Sequence, residues 1–158
     1  MAVKLAAARG AEVTLFTSTP GKLADAARLG AHDAVLTSDA QAMAAHAERY
    51  DLIISTVPES FSLAPYLPLL QVDGTLVSVG TPAELKDVVG GALWWRRRSV
   101  ASSLIGSIAE TQAVIDFCAA RQIAADIELI RPDQINAAMD RVKGKDVRYR
   151  FVIDMTQA

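Results

Sequence analysis

Four residues at and just after the end of the first predicted strand carry groups able to hold a phosphate. The segment "FTSTPGK" contains the hydroxyls of Thr17, Ser18 and Thr19 and the ammonium group of Lys22, and it contains no acidic residue. Hydroxyl donors and a cation suit a phosphate monoester, whereas a carboxylate at such a position would accept hydrogen bonds from a ribose. A plain Ser/Thr turn that caps a helix beside a solvated lysine is the alternative, and the segment alone leaves both open.

Small and polar residues also stand where other predicted strands end. Thr56 lies in the apolar run "YDLIISTV", and Gly80 ends "TLVSVG". A small hydroxyl side chain and a glycine would let a flat ligand approach the backbone, although both residues could simply form turns. The end of a later predicted strand adds Ser103, Leu104 and Ile105.

The other reactive residues do not form a catalytic group in the sequence. His32 and His46 have no second metal ligand at a workable spacing, so both are interpreted as surface residues. Cys118 stands among apolar residues of a predicted helix and is expected in the core. The run "WWRRR" indicates a solvated basic face beside aromatic packing. We therefore expect ligand binding without a catalytic centre in this chain.

Composition excludes several classes of protein. The chain has 158 residues, of which 51% are hydrophobic and 22% charged, as is typical of a soluble globular protein. A net charge of −2 argues against nucleic acid or an acidic membrane as the main partner. The single cysteine excludes an internal disulfide, and no apolar run approaches the roughly 20 residues that span a bilayer. A cytoplasmic location is expected.

Predicted strands alternate with predicted helices along most of the chain. The run at 50–57 is continuously apolar, which is typical of a parallel strand buried on both faces. The segment 61–71 carries a helical pattern broken by Pro65 and Pro68, and Asp73-Gly74 is a predicted turn. Strands are predicted at 12–17, 32–37, 50–57, 75–80, 99–104, 126–130 and 149–154, and helices at 1–9, 20–30, 40–49, within 84–98, at 108–122 and at 135–142. Gly30 is placed to end the helix at 20–30, Asp39 can cap the helix at 40–49, and Ser107 with Glu110 is a predicted capping box for the helix at 108–122.

This alternation predicts an α/β fold, a parallel sheet with helices on both faces. Ligands of such sheets bind beyond the carboxyl ends of the strands, where the candidate residues lie. If the ligand is a dinucleotide, the hydroxyls and Lys22 in place of an acid favour NADP over NAD.

Several longer stretches, in this order and spacing, resemble one known family. They include "MAVKLAAARGAEVTLFTST", "DGTLVSVGTP", "SSLIGSIAETQAVIDFCA" and "DVRYRFVID". Together they are similar to the zinc-dependent, NADP-using alcohol dehydrogenases of the cinnamyl alcohol dehydrogenase-like group, within the medium-chain dehydrogenase/reductase superfamily. The resemblance covers nearly the whole chain and implies a Rossmann-like domain over residues 1–158. The implied reaction is hydride transfer between an alcohol or aldehyde and NADP(H).

The resemblance also implies roles for nine residues. The adenosine 2′-phosphate would be held by the residues of the first segment, the nicotinamide side of the cofactor by two strand-end residues, and its carboxamide by three later residues. One arginine would reach the pyrophosphate, and the stretch "SVASSLI" would pair two sheets in a homodimer. The 2′-phosphate residues are Thr17, Ser18 and Lys22, and those on the nicotinamide side are Thr56 and Gly80. The carboxamide residues are Ser103, Leu104 and Ile105, and the arginine is Arg150.

In that family a strand and a glycine-rich turn precede the residues that match "MAVKLA", and a zinc-bearing domain lies further upstream. The resemblance therefore implies an N-terminally truncated sheet that lacks its first, central strand, between 12–17 and 50–57. We expect such a chain to be marginally stable or to borrow a strand from another copy. Without zinc ligands it is expected to be inactive alone.

Two other classes of function stay open at this point. A nucleotide-binding module, or a truncated product, would have no catalytic activity. The second class is a methyltransferase-like domain, because "YDLIISTV" followed by "DGTLVSVG" also fits the doubly wound sheet of methyltransferases.

Overall fold

Parallel strands and short helices make up the computed structural model, which describes residues 1–144, 146–147 and 150–157. Every strand pair in this range runs parallel. The helices are α1 (Ala2–Ala8), α2 (Ala40–Ala44), α3 (Gly90–Trp94), α4 (Ile108–Ala120) and α5 (Ile135–Lys143), and the strands are β1 (Thr14–Thr17), β2 (Asp33–Leu36), β3 (Tyr50–Ser55), β4 (Phe61–Ser62), β5 (Leu70–Ser78), β6 (Leu85–Lys86), β7 (Ser99–Ser102), β8 (Glu128–Ile130) and β9 (Phe151–Ile153).

The described strands form four separate sheets. The largest has the order β3-β5-β7, and the others are the pairs β1-β2, β4-β6 and β8-β9. The parallel α/β class is confirmed. Within the described residues β1 and β3 are not paired with each other, so each has one edge without a strand partner. This arrangement is the one expected when the strand that would lie between β1 and β3 in the family's sheet is absent from the sheet.

Side-chain packing, rather than backbone pairing, joins the β1-β2 sheet to the larger one. The rings of Phe16 on β1 and Tyr50 on β3 meet edge to face, with their centroids 5.5 Å apart. Both pack against a buried cluster formed by Val35, Met43 and Leu69. A second buried cluster fills one face of the larger sheet and consists of Leu63, Leu67, Leu70 and Leu76.

His46 belongs to this junction, so its interpretation as a surface residue is wrong. It is 8% exposed, its ring stacks on that of Tyr50, and its Nδ1 lies 2.5 Å from the Tyr50 hydroxyl oxygen. Its Nε2 lies 3.5 Å from Oδ2 of Asp33 on β2. Burial raises the pKa of Tyr50 above its usual value. His32 is exposed as expected, and its Nδ1 accepts a hydrogen bond from the Val13 amide.

β3 is buried on one face only, which contradicts the prediction for 50–57. Leu52 is 51% exposed and Ile54 is 46% exposed, whereas Ile53 between them packs against both buried clusters. Successive side chains of a strand point to opposite faces. The second face therefore presents apolar side chains that the described elements leave uncovered.

Two predicted helices and the broken helical pattern at 61–71 differ in the structure because local hydrogen bonding takes another form. Within 20–30, a regular 3₁₀ helix is present only over Pro20–Lys22. The rest of this segment consists of tight turns, in which, for example, the Ala26 amide donates a hydrogen bond to the Leu23 carbonyl oxygen at 3.2 Å. Gly30 ends this segment with a φ of +94°, as predicted. The helix at 40–49 is regular only over α2, and 61–71 contains β4 and a 3₁₀ turn at Leu67–Leu69.

The predicted turn at Asp73-Gly74 lies inside β5, which begins at Leu70. Asp73 has a φ of +64°, and the pairing register with β3 shifts between Tyr50 and Leu52. Asp73 is held there by Arg97, whose Nε donates to its Oδ1 at 2.7 Å. The pairing with β3 passes from Leu70 directly to Thr75, so the two residues lie in a bulge that interrupts the strand, and the predicted turn falls within this bulge.

The predicted caps are confirmed where they depend on neighbouring residues. The carboxylate of Asp39 accepts a hydrogen bond from the Ala42 amide at 2.9 Å and begins α2. Ser107 and Glu110 form the capping box of α4, and the hydrogen bond from the Ser107 amide lowers the pKa of Glu110. None of the residues of α4 is buried, so Cys118 is half-buried rather than part of the core.

Asp126 connects three distant segments through two ion pairs. Its Oδ1 lies 2.6 Å from Lys4 Nζ on α1, and its Oδ2 lies 2.5 Å from Arg28 Nη1. Hydrogen bonds from Lys4 first and Arg28 second hold the pKa of Asp126 at about 2, below its ordinary 3.8. No helix in the described range has the length and apolar character needed to cross a membrane.

We expect Asp126→Asn to lower the melting temperature at pH 7. A carboxyl whose pKa is depressed by folding stabilises the fold above its unfolded value, and this contribution is lost as the pH falls through the folded value. Melting curves should therefore separate the two proteins above pH 4 and bring them together towards pH 2. Asp133→Asn is the matched control, because Asp133 pairs with Arg131 only two residues away. An equal effect of both variants would contradict the connecting role.

Candidate functional site

A hollow of about 320 Å³ lies at the carboxyl ends of β5 and β7. Parallel strands bring their carboxyl ends to the same edge of a sheet, and the loops that leave this edge form the walls. The residues that line the hollow combine serine and threonine hydroxyls with apolar side chains. They are Ser78, Gly80, Thr81, Pro82, Ala83, Leu85, Ser102, Ser103 and Leu104.

Hydrogen bonds hold the end of β7 against the end of β5. Ser78 and Ser102 are paired in register. The carbonyl oxygen of Ser78 accepts hydrogen bonds from the Ser103 amide and from the Ser102 hydroxyl, each at 3.0 Å. The strand pairing therefore sets where Ser103 and Leu104 leave the sheet, and Leu104 is 69% exposed.

Gly80 is required by the backbone beside it. Its amide and that of Val79 donate to the carbonyl oxygen of Ser55, at 3.2 and 2.9 Å. A Cβ at Gly80 would lie 2.1 Å from the carbonyl oxygen of Val57 and 3.2 Å from the carbonyl carbon of Thr56. Gly80 thus lets the backbone that follows β3 lie directly against it, and this contact places Thr56 next to the hollow.

The first predicted group lies elsewhere. Thr17, Ser18 and Lys22 lie at the carboxyl end of β1, on the β1-β2 sheet, and do not line the hollow. Thr17 is half-buried, and its hydroxyl oxygen accepts a hydrogen bond from the Thr19 amide at 3.1 Å. Ser18 is exposed and Lys22 half-buried. The Ser/Thr turn of the alternative interpretation is therefore present, and it leaves Ser18 open to a ligand.

Two further predicted residues also lie outside the hollow. Ile105 is 84% exposed and follows its wall in the chain. Arg150 is exposed and precedes β9, where its carbonyl oxygen accepts from the Glu128 amide at 2.9 Å. Burial, then Lys4 and then Arg150 lower the pKa of the Met1 amino group, which indicates that Arg150 lies towards the amino end of α1. Tyr149 of the predicted strand 149–154 lies outside the described residues.

Sequence reasoning missed Ser78 and Ser102 as parts of the wall. The signal available was a serine within an apolar strand, in "TLVSVG", and a second serine near the end of the next strand. In the structure Ser78 is 1% exposed, and its hydroxyl oxygen has no hydrogen-bond partner in the part of the chain that is described. Over those same residues, no group of three or more His, Cys, Asp or Glu is placed to hold a metal ion.

Comparison with known sequences gives consistent matches. The sequence profile of the zinc-binding dehydrogenases matches residues 1–120. The chain is 47% identical over 156 residues to NADP-dependent alcohol dehydrogenase C of Mycobacterium bovis, covering 99% of this chain and 45% of that protein. It is 46% identical over 155 residues to aldehyde reductase YahK of Escherichia coli, covering 98% and 44%. The chain thus spans about 45% of the length of these curated relatives.

Solved structures agree with the sequence matches. A cinnamyl alcohol dehydrogenase from Sorghum bicolor has a TM-score of 0.95 at 40% identity, over 100% of this chain and 45% of that one. A Helicobacter pylori structure described as CAD complexed with NADP(H) has a TM-score of 0.85 at 34% identity, over 100% and 45%. The predicted Rossmann-like class is therefore confirmed, and the chain corresponds to the cofactor-binding part of such dehydrogenases.

We expect Gly80→Ala to destabilise the chain by about 1–3 kcal/mol, because the added methyl overlaps backbone that cannot rotate away. Urea unfolding measures this change. Gly91→Ala is the control, since a Cβ at Gly91 meets nothing within 4 Å. Equal stability of Gly80→Ala and the unsubstituted chain would contradict the close packing of Gly80 against the backbone of Val57.

Proposed function

This chain belongs to the zinc-binding dehydrogenase family, and we propose that it is the NADP(H)-binding part of an alcohol dehydrogenase or aldehyde reductase. The hollow beyond β5 and β7 is the observation that carries the proposal. It lies at the edge where α/β sheets bind their ligands, and three predicted cofactor residues, Gly80, Ser103 and Leu104, line it. The names of the relatives, which include NADP-dependent and aldehyde-reducing enzymes, support the same cofactor and reaction.

The residues of the hollow fit the nicotinamide end of the cofactor. Pro82, Leu85 and Leu104 offer apolar surface for a flat ring, and the buried Ser78 hydroxyl lacks a described partner. Thr56 borders the same edge through its contact with Gly80. The bound cofactor would supply the hydride, and this chain would supply its orientation. Ile105 is the residue after Leu104 in the chain and does not line the hollow, so its contact with the carboxamide stays a prediction.

The 2′-phosphate is proposed to bind at the carboxyl end of β1. The exposed hydroxyl of Ser18 and the ammonium group of Lys22 supply a donor and a positive charge without an acid in the segment. Thr17 shapes the turn through its bond to the Thr19 amide. Arg150, exposed and towards the amino end of α1, is the proposed contact of the pyrophosphate.

The residues present do not fit a catalytic zinc ion. His46 is buried against Tyr50, His32 accepts from a backbone amide, and Cys118 lies on α4. These side chains belong to different elements, and no metal-binding group was found in the described part of the chain. We therefore propose that this chain supplies cofactor binding rather than turnover.

A homodimer is proposed on the free edge of the larger sheet. β7 pairs with β5 on one side only among the described strands, and the exposed Leu104 and Ile105 follow it. An unpaired edge beside exposed apolar side chains suits the addition of a second sheet. Three further expectations stay predictions: an alcohol or aldehyde substrate, a cytoplasmic location, and a single binding domain over residues 1–158. The domain prediction stays open because β8 and β9 form a sheet of their own.

We expect the chain to bind NADPH more tightly than NADH, and Lys22→Ala to weaken NADPH binding about tenfold without changing NADH binding. Loss of a charge-assisted bond to a phosphate that only NADPH carries is the reason. Fluorescence titration or calorimetry measures both affinities. Lys86→Ala, on β6, is the control for charge alone. Equal affinities for the two cofactors would contradict the phosphate site, and binding of S-adenosylmethionine instead would contradict the dehydrogenase proposal.

A further inference from the structure

Three serines form a row across the carboxyl end of the larger sheet. Ser55 on β3 is paired in register with Ser78 on β5, and Ser78 is paired with Ser102 on β7. Residues paired in register on neighbouring parallel strands project to the same face of the sheet. The row therefore places three hydroxyl-bearing side chains side by side, next to the hollow.

The flanking serines of the row have hydrogen bonds, and the central one does not. The Ser55 hydroxyl oxygen accepts from the Val57 amide at 3.4 Å, and the Ser102 hydroxyl donates to the Ser78 carbonyl oxygen at 3.0 Å. The Ser78 hydroxyl oxygen is the buried side-chain polar atom for which no partner was found over the described range. It is also the most deeply buried serine of the row.

A buried hydroxyl without a partner makes the fold less stable than an alanine would. Leaving such a donor unsatisfied costs about 1–3 kcal/mol. Leu76, two residues earlier on the same face, is buried in the apolar core, which shows that this face otherwise takes apolar side chains. Ser78 is therefore poorly explained by stability alone, and its position in the wall of the hollow indicates a ligand as its partner.

We propose that the Ser78 hydroxyl donates a hydrogen bond to the carboxamide oxygen of the nicotinamide ring and so positions that ring against the apolar wall. This inference rests on the proposed binding of NADP(H). An amide oxygen is a strong acceptor, and Leu85 and Leu104 supply surface for the ring beside it. Because Ser78 is 1% exposed, the residues that cover its hydroxyl must shift as the ligand enters.

The test compares Ser78→Ala with the unsubstituted chain, using two probes and one stability measurement. NADPH carries the nicotinamide end, and adenosine 2′,5′-bisphosphate carries only the adenine end. We expect Ser78→Ala to bind NADPH about tenfold more weakly, to bind the bisphosphate unchanged, and to melt at the same or a higher temperature. A purely structural serine would instead lower the melting temperature.

Ser55→Ala is the matched control, because Ser55 is buried in the same row but has a partner and does not line the hollow. We expect it to melt at a lower temperature and to bind both probes within about twofold of the unsubstituted chain. Equal NADPH affinity of Ser78→Ala and the unsubstituted chain would overturn this inference alone. Failure of the unsubstituted chain to bind NADPH would overturn the proposed function as well, and failure of Ser78→Ala to fold would assign the hydroxyl a structural role.

Discussion

The contact between Phe16 and Tyr50 is the interaction on which the arrangement of the two main sheets depends. Among the described strands, β1 and β3 form no backbone pairing with each other, so the edge-to-face rings and the cluster beneath them join the two sheets instead. Aromatic pairs of this geometry contribute about 0.5–1.5 kcal/mol beyond the area they bury. His46 strengthens the junction because it reaches both Tyr50 and Asp33. The relative position of the hollow and the segment at the end of β1, where the phosphate is proposed to bind, thus depends on side chains.

The hollow itself depends on strand register. The pairing of Ser78 with Ser102, and the bonds from Val79 and Gly80 to Ser55, bring three strand ends to one edge. Backbone hydrogen bonds of this kind are directional and tolerate little displacement. Part of the wall consists of exposed loop residues such as Thr81, Ser103 and Leu104, whose side chains can adapt to a ligand while the edge stays in place. A rigid edge with adaptable walls suits a cofactor whose flat ring must be oriented.

Prediction from sequence succeeded where the cause lies within a few residues. The Asp39 cap and the Ser107–Glu110 capping box follow from local chemistry and are present, and Gly30 ends its segment as predicted, with a positive φ. It missed the start of β5 at Leu70, ahead of the predicted turn at Asp73-Gly74, because Leu70 pairs with Tyr50, a residue distant in sequence. Of the candidate site, Gly80, Ser103 and Leu104 meet at one hollow.

The sequence by itself determined the α/β class, the family resemblance and the set of strand ends at which a ligand could bind. Alternation of apolar runs and helical patterns is a local property, and so it can be read along the chain. Only the tertiary structure decided which strand ends share a hollow and that His46 is buried. It also decided that, over the described residues, β1 and β3 do not pair with each other and the Ser78 hydroxyl has no hydrogen-bond partner. Register and burial depend on residues distant in sequence, and no local pattern specifies them.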